Sequence, residues 1–134
     1  MHELFKAEVE THCAALTEGL LVLERDPADV SPIQALMRAA HSVKGAARIV
    51  GIDAAVAVAH HMEDVFVRIQ KGQERTVRAR IDQLLEGTDF LARIAQVPEA
   101  GIAAWSAEHA GEVNALTTAL AAPPAESPAP APAP

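Results

Sequence analysis

Residues 39 to 51 read Ala39-Ala-His-Ser-Val-Lys-Gly-Ala-Ala-Arg-Ile-Val-Gly51, and they are the most informative part of the chain. Small and aliphatic side chains recur in it at steps of three and four residues, which is the spacing of one helix face. That inner face carries Ala40, Val43, Ala47 and Val50. Ser31 is the expected N-cap, Pro32 the first helical residue and Gln34 the capping-box partner. Gly51 is expected to end the helix.

A second strip of this helix carries polar side chains beside the apolar face. Its members are spaced so that they share one side of the helix: Met37, His41, Lys44 and Arg48. One histidine and two cations therefore lie on a strip that we expect to face solvent. Gly45 follows His41 by one turn, where glycine costs about 1 kcal/mol against alanine. The missing side chain leaves space in which another protein could approach the imidazole.

Apolar periodicity extends the helical pattern on both sides of this stretch. The first helix is predicted over residues 2–25, ending before Asp26-Pro27. The third helix is predicted after Asp53, which is a suitable cap, and runs to about residue 71. The pair Lys71-Gly72 then supplies a cation and a glycine stop. These three helices alone account for most of the apolar residues in the first half of the chain.

Two more helices are predicted in the second half of the chain. The fourth covers residues 77–95 before Pro98, with Gly87 as a mild internal cost. The fifth covers residues 102–120, where the apolar spacing holds although Gly111 and many alanines weaken it. We expect this fifth helix to pack against the others or to cap them.

These elements predict an all-α fold, an antiparallel up-down-up-down four-helix bundle with an additional C-terminal fifth helix. The chain of 134 residues is long enough for one core, and half of its residues are apolar. We expect one domain over residues 1–122. Residues 123–134 alternate proline with alanine and are predicted to be a flexible linker, so the chain is interpreted as the N-terminal module of a longer polypeptide.

Charge and composition exclude several classes of function. The formal net charge of −7, without a basic cluster, argues against nucleic-acid binding and favours a protein partner. Cys13 is alone within an apolar helical stripe, which indicates a buried structural thiol. No run approaches the roughly 20 apolar residues of a membrane span. We therefore expect a cytoplasmic protein without membrane insertion.

The third helix supplies side chains that can complement His41. His60 and Glu63 lie three residues apart on one strip of it. If the second and third helices are neighbours, Glu63 can face His41 and accept its Nδ1 hydrogen, which leaves the Nε2 lone pair free for nucleophilic attack. Lys44 is placed to bind phosphoryl oxygens as a mobile charge. This chemistry needs no metal held by the domain.

At these residues the sequence resembles the histidine phosphotransfer family, whose motif is His-Ser-x-Lys-Gly followed by a further glycine. The motif reads His41-Ser42-Val-Lys44-Gly45 here, with Gly51 beyond it. The CheA-type branch, found in chemotaxis histidine kinases, adds a His-x-x-Glu pair on the next helix. His60 and Glu63 follow His41 by 19 and 22 residues, in that register. The resemblance covers roughly residues 1 to 121.

The resemblance implies a phosphocarrier domain and not an enzyme in its own right. His41 would be phosphorylated on Nε2 by a histidine kinase catalytic domain, which binds the ATP and Mg²⁺, and would pass the phosphoryl group to an aspartate of a response-regulator receiver domain. Glu63 would orient His41, Lys44 would assist the phosphoryl group, and His60 would join their network. The domain would be monomeric, need no cofactor and dock partners through four residues of the second helix: Met37, Ser42, Gly45 and Arg48.

Two other functions fit parts of the pattern. A metal-binding four-helix bundle would use inward histidines and carboxylates, although the chain has one His-x-x-Glu pair where such sites use several Glu-x-x-His motifs. A helical docking module without chemistry would leave His41 incidental. The sequence also departs from the family's glycine-rich pattern at Ala46-Ala-Arg-Ile49. Arg48 is therefore either a specificity contact or a solvated charge.

Overall fold

A computed structural model describes residues 2–124. Across this range the chain forms helices and no strand, so the all-α prediction is confirmed. The α-helices are α1 (His2–Arg25), α2 (Ile33–Val50), α3 (Asp53–Gln70), α4 (Arg78–Ala95), α5 (Ile102–Glu108) and α6 (Ala110–Ala121), with a 3₁₀ turn at Glu99–Gly101 before α5. No helix in this part of the chain is long and apolar enough to cross a membrane.

The first four helices surround one hydrophobic core. α1 packs against α2 and α4, and α3 packs against α2, α4 and α6. Six side chains of α1 are buried: Phe5, Val9, Cys13, Leu16, Leu20 and Leu23. Because these side chains recur at three- and four-residue steps, one face of α1 enters the core and the opposite face remains in solvent. Phe66 and Phe90 fill the centre from α3 and α4, each with no exposed surface.

Glycines end the second and third helices as the sequence predicts. Gly51 has φ +75° and Gly72 has φ +73°, in the left-handed region where a Cβ would be strained. After Gly51, the N–H of Ile52 donates to the carbonyl of Ala47 at 3.0 Å, which closes the helix end. This sharp stop sets α3 directly beside α2.

The predicted N-caps of α2 and α3 are wrong. Pro32 is the N-cap of α2 and Ile52 that of α3, and neither makes a side-chain cap bond. The backbone N–H of Ser31 donates instead to the Asp29 carboxylate at 3.1 Å, so a local turn of the loop determines its conformation. Asp53 is the first residue of α3 and its carboxylate favours the positive helix end without capping it.

The predicted single fifth helix is also wrong, because two helices, α5 and α6, occupy its place. The break falls at His109, whose φ of −105° and ψ of 14° lie outside the α-helical region. Its ring Nδ1 lies 2.7 Å from the Trp105 carbonyl and the two rings stack with centroids 3.7 Å apart. α5 contributes no buried residue, whereas α6 buries Leu116 and Leu120. The predicted linker lies, from residue 125 onward, outside the described residues.

Candidate functional site

His41 lies in the middle of α2 with 67% of its side chain exposed. Its helix neighbours Ala40 and Val43 are fully buried, so they anchor the backbone below it. The imidazole therefore projects from a rigid, packed helix into solvent, where a macromolecular partner can reach it.

Glu63 of α3 contacts His41 across the α2–α3 seam. Its Oε2 lies 2.9 Å from Nδ1 of His41, and its Oε1 accepts a hydrogen bond from Nζ of Lys44 at 2.6 Å. Each oxygen of the carboxylate thus has its own partner on α2. The side chain of Glu63 is 18% exposed and that of Lys44 is 13% exposed, so both are shielded while the imidazole is not.

The charge state of Glu63 determines which nitrogen of His41 carries hydrogen. Partial burial acts to raise the pKa of Glu63, but the hydrogen bonds and charges of Lys44 and His41 outweigh it, and the pKa lies below its ordinary value. At neutral pH the carboxylate is ionised and can only accept hydrogen bonds. Nδ1 of His41 must therefore donate, and in the neutral ring Nε2 keeps its lone pair and points away from Glu63.

In this arrangement Lys44 contacts the carboxylate of Glu63. The sequence places it near the phosphoryl oxygens, whereas the structure places its ammonium on Glu63. Arginine or lysine beside a carboxylate holds it ionised and fixes its rotamer. Lys44 accordingly positions the carboxylate that orients His41, and its predicted contact with a phosphoryl group stays a prediction.

The structure does not bring His60 into the network. Its Nε2 lies 3.4 Å from Asp64, one turn along α3, and its ring meets His61 edge-on at 5.5 Å. Within residues 2–124 no hydrogen bond or ion pair joins His60 to His41 or Glu63. Residues three apart in a helix are separated by about 300°, so their side chains point about 60° apart. His60 and Glu63 therefore share one strip of α3 only approximately. Its predicted role in the network has no contact to support it.

An apolar groove adjoins His41 on the α1 side. Its walls come from two helices: Leu4, Phe5, Glu8, Ser42, Gly45, Ala46, Ile49 and Val50. Leu4 is 58% exposed and Ile49 is 71% exposed, although both are large aliphatic residues. A Cβ on Gly45 would meet nothing within 4 Å, so the glycine keeps this groove open. We call this surface the His41 groove.

The predicted docking residues are distributed unequally around the His41 groove. Ser42 and Gly45 line it. Met37 packs against the core and Arg48 is exposed, and neither lines the groove. Leu4 and Ile49 were missed because a single exposed aliphatic residue is common on protein surfaces. The sequence does contain one indication of their exposure, because Leu4 and Ile49 are large aliphatic residues that fall outside the apolar stripes of their own helices.

The described part of the chain contains no group of side chains arranged to bind a metal ion. Among residues 2–124 no three His, Cys, Asp or Glu side chains come together as metal ligands would. The carboxylate of Glu63 is fully engaged by His41 and Lys44. The arrangement is therefore suited to orienting an exposed nucleophilic imidazole.

A helical bundle that displays an oriented histidine on its surface defines the class of histidine phosphotransfer domains. The chain belongs to this family: the model of the Hpt domain matches residues 1–122. Its relatives include the chemotaxis protein CheA of Halobacterium salinarum, 33% identical over 87 residues, and that of Bacillus subtilis, 31% identical over 94 residues. These matches cover 65% and 70% of this chain but 13% and 14% of the relatives, so the chain corresponds to a small part of each.

A solved structure shares the fold. The phosphorylated P1 domain of CheA3 from R. sphaeroides, crystallised in complex with CheY6, superposes with a TM-score of 0.73 at 21% identity. The match covers 90% of this chain and 98% of that one. The whole bundle is therefore the shared unit.

Proposed function

We propose that this chain is the phosphotransfer module of a CheA-like two-component kinase. In this proposal His41 accepts a phosphoryl group from an ATP-bound kinase domain and passes it to an aspartate of a response regulator. The observation that carries the proposal is the 2.9 Å contact between Glu63 Oε2 and His41 Nδ1, which leaves Nε2 as the outward nucleophile. Membership in the Hpt family supports it.

The chemistry follows from the two nitrogens of His41. The Nε2 lone pair attacks the γ-phosphorus of ATP, an Nε2–P bond forms, and the bond from phosphorus to the bridging oxygen breaks with its electrons on ADP. The ring becomes cationic while Nδ1 keeps its hydrogen. Glu63 stabilises that charge through the hydrogen bond it already makes. In the second transfer an aspartate oxygen attacks phosphorus and the N–P electrons return to Nε2.

The domain acts in this scheme as substrate and carrier. ATP and Mg²⁺ are handled by the kinase catalytic domain, so the domain itself needs no cofactor. The relatives support a kinase partner because they are much longer CheA proteins in which this region is a small part. The crystallised relative supports a receiver partner because its phosphorylated P1 domain was found with CheY6.

The His41 groove is the surface to which we assign receiver docking. It borders the nucleophile, it opens beside Gly45, and Leu4 and Ile49 offer apolar area that solvent does not favour. The opposite side of His41 is closed by Glu63 and Lys44. A receiver that approaches over α1 and α2 can reach Nε2 without disturbing the pair.

The proposal includes alternating directions for α1 to α4, the up-down-up-down order. The connection from α2 to α3 is only Gly51 and Ile52, and such short connections favour antiparallel neighbours. This order keeps α2 and α3 side by side along their length, which the His41–Glu63 contact requires.

Phosphorylation in the presence of a CheA-type kinase core tests the proposal. The wild-type chain is expected to incorporate phosphate that is acid-labile and alkali-stable, and His41→Gln is expected to incorporate none. His12→Gln is the matched control, since His12 is a partly exposed histidine on α1 that pairs with Glu8 one turn away. Phosphate on His41→Gln would show that another residue is the acceptor, and none on a folded wild-type chain would favour a docking module without chemistry.

A further inference from the structure

A cluster of charged side chains at the end of α6 has no part in the proposed phosphotransfer. Arg80 of α4 has no exposed side-chain surface, and Glu74, in the connection from α3 to α4, is 6% exposed. Arg80 Nε donates to one oxygen of Glu74 at 2.7 Å, and Arg68 Nε of α3 donates to the other at 3.1 Å. We call these three residues the arginine clamp.

The arginine clamp binds backbone carbonyls in the last turn of α6. Arg80 donates to the carbonyls of Ala119 and Ala122, the first at 2.9 Å, and Arg68 donates to that of Leu120 at 2.8 Å. The last carbonyls of a helix have no partner within the helix and form its negative end. Two guanidinium groups therefore provide the hydrogen bonds and the positive charge that this end requires.

The arginine clamp is better suited to fixing the position of the last turn of α6 than to adding net stability. A buried ion pair loses in desolvation much of what it gains in attraction, so it adds little net stability, whereas the planar guanidinium fork sets distances and angles. α6 buries only Leu116 and Leu120 among its described side chains. Its last turn is thus held by the buried Leu120 together with the hydrogen bonds of Arg68 and Arg80.

The arginine clamp lies on a different side of α3 from the His41 pair. Arg68 follows Glu63 by five residues, which corresponds to about 7.5 Å along the helix and about 140° around it. Pro123 and Pro124 continue from α6 along a groove that Arg68 and Glu74 also line. Pro123 and Pro124 therefore lie beside the α3–α4 connection.

We propose that the arginine clamp anchors the last turn of α6 and thereby sets the direction of the chain at Pro123 and Pro124, on the side away from His41. These two prolines then lie beside Arg68 and Glu74 and do not line the His41 groove. The described chain up to Pro124 therefore leaves that groove open to a docking partner.

Hydrogen–deuterium exchange of the 134-residue chain tests the anchoring. Arg68→Gln and Arg80→Lys are each expected to speed exchange in residues 113–122 by about tenfold or more, because each removes charge-assisted bonds to those carbonyls. Arg78→Gln is the control, since Arg78 is 78% exposed and lies two residues from Arg80. Unchanged exchange in α6 of folded Arg68→Gln overturns the proposal, as does an equal effect of Arg78→Gln. If Arg80→Lys does not fold, Arg68→Gln decides.

A spin label on Pro124→Cys tests the direction. Cys13 is buried and burial raises the pKa of its thiol to about 11, so the introduced cysteine is the one that reacts at neutral pH. The label is expected to broaden amide signals of residues 73–76 and to leave residues 41–49 sharp. In Arg68→Gln the broadening at residues 73–76 should weaken. Broadening around His41 in the otherwise unchanged chain overturns the proposal.

Discussion

Glu63 on α3 accepts the Nδ1 hydrogen of His41 on α2, with Oε2 and Nδ1 2.9 Å apart. One carboxylate on a neighbouring helix thus selects the nitrogen at which the exposed imidazole can react. Because the pair joins two helices, the relative position of α2 and α3 determines whether Glu63 can orient the imidazole of His41. The predictions below separate the effect of this pair from the stability of the bundle.

Replacing Glu63 is expected to affect chemistry more than folding. Glu63→Ala should slow phosphorylation of His41 by roughly tenfold to a hundredfold, the equivalent of one charge-assisted hydrogen bond. The free energy of unfolding should change by about 1 kcal/mol, because Glu63 and Lys44, although shielded, still reach solvent at the surface of the bundle. Single-turnover kinetics and urea unfolding measure the two effects. Asp64→Asn is the control, since Asp64 pairs with His60 on the same helix.

The pKa of Glu63 should depend on Lys44. Lys44→Met removes a hydrogen bond and a positive charge but keeps the partial burial that raises the pKa, so the pKa of Glu63 should rise from its lowered value. A lowered pKa stabilises the fold at pH values above the carboxyl's ordinary pKa in the unfolded chain, and that stability is lost as pH falls through the folded-state pKa. The variant should therefore lose less stability on acidification. Carboxyl titration by NMR checks the shift, and an unchanged pKa of Glu63 would contradict it.

Gly45→Ala should strengthen the helix and weaken docking. A Cβ at this position meets nothing within 4 Å, so the substitution should stabilise α2 by roughly 0.5–1 kcal/mol. The added methyl group enters the His41 groove and should slow transfer to a receiver. Gly111→Ala is the matched control, because its Cβ is equally free but lies on α6. Equal transfer rates in the two variants would show that the open space at Gly45 has no role.

The exposed aliphatic residues of the His41 groove should determine receiver affinity. Leu4→Ser and Ile49→Ser are each expected to weaken receiver binding, since burial of a Leu or Ile side chain contributes about 1.5–3 kcal/mol. Stability should change little because both side chains are largely in solvent. Val30→Ser, at a residue 50% exposed in the loop before α2, provides the comparison. Titration calorimetry with the receiver should show a loss of affinity in the first two variants alone.

The sequence predicts the helical core and the contact between His41 and Glu63 well because both depend on helical spacing. The apolar residues of α1 from Phe5 to Leu23 recur at that spacing and are buried, and the positions of His41 and Glu63 follow from one register on each helix. Spacing does not say where a cation's head group goes. The contact of the Lys44 ammonium with Glu63 therefore comes from the structure, and the contact of Lys44 with a phosphoryl group stays a prediction.

The errors have local and long-range causes that periodicity does not capture. Ser31 was expected to cap α2, but the Asp29 carboxylate binds its N–H in the preceding turn. The break at His109 depends on a ring that stacks on Trp105 within an otherwise helical pattern. Arg80 is fully buried because Glu74 and carbonyls of α6 surround it, and such a partnership is invisible to a pattern that places arginine at the surface.

The position of phosphate on the histidine ring tests the central claim most directly. NMR spectra of the phosphorylated chain with ¹⁵N-labelled histidine report which residue and which nitrogen carry phosphorus. We predict a single phosphohistidine at His41, with phosphorus on Nε2 and hydrogen retained on Nδ1, where Glu63 accepts it. Phosphorus on Nδ1 of His41, or on any other histidine, would contradict it.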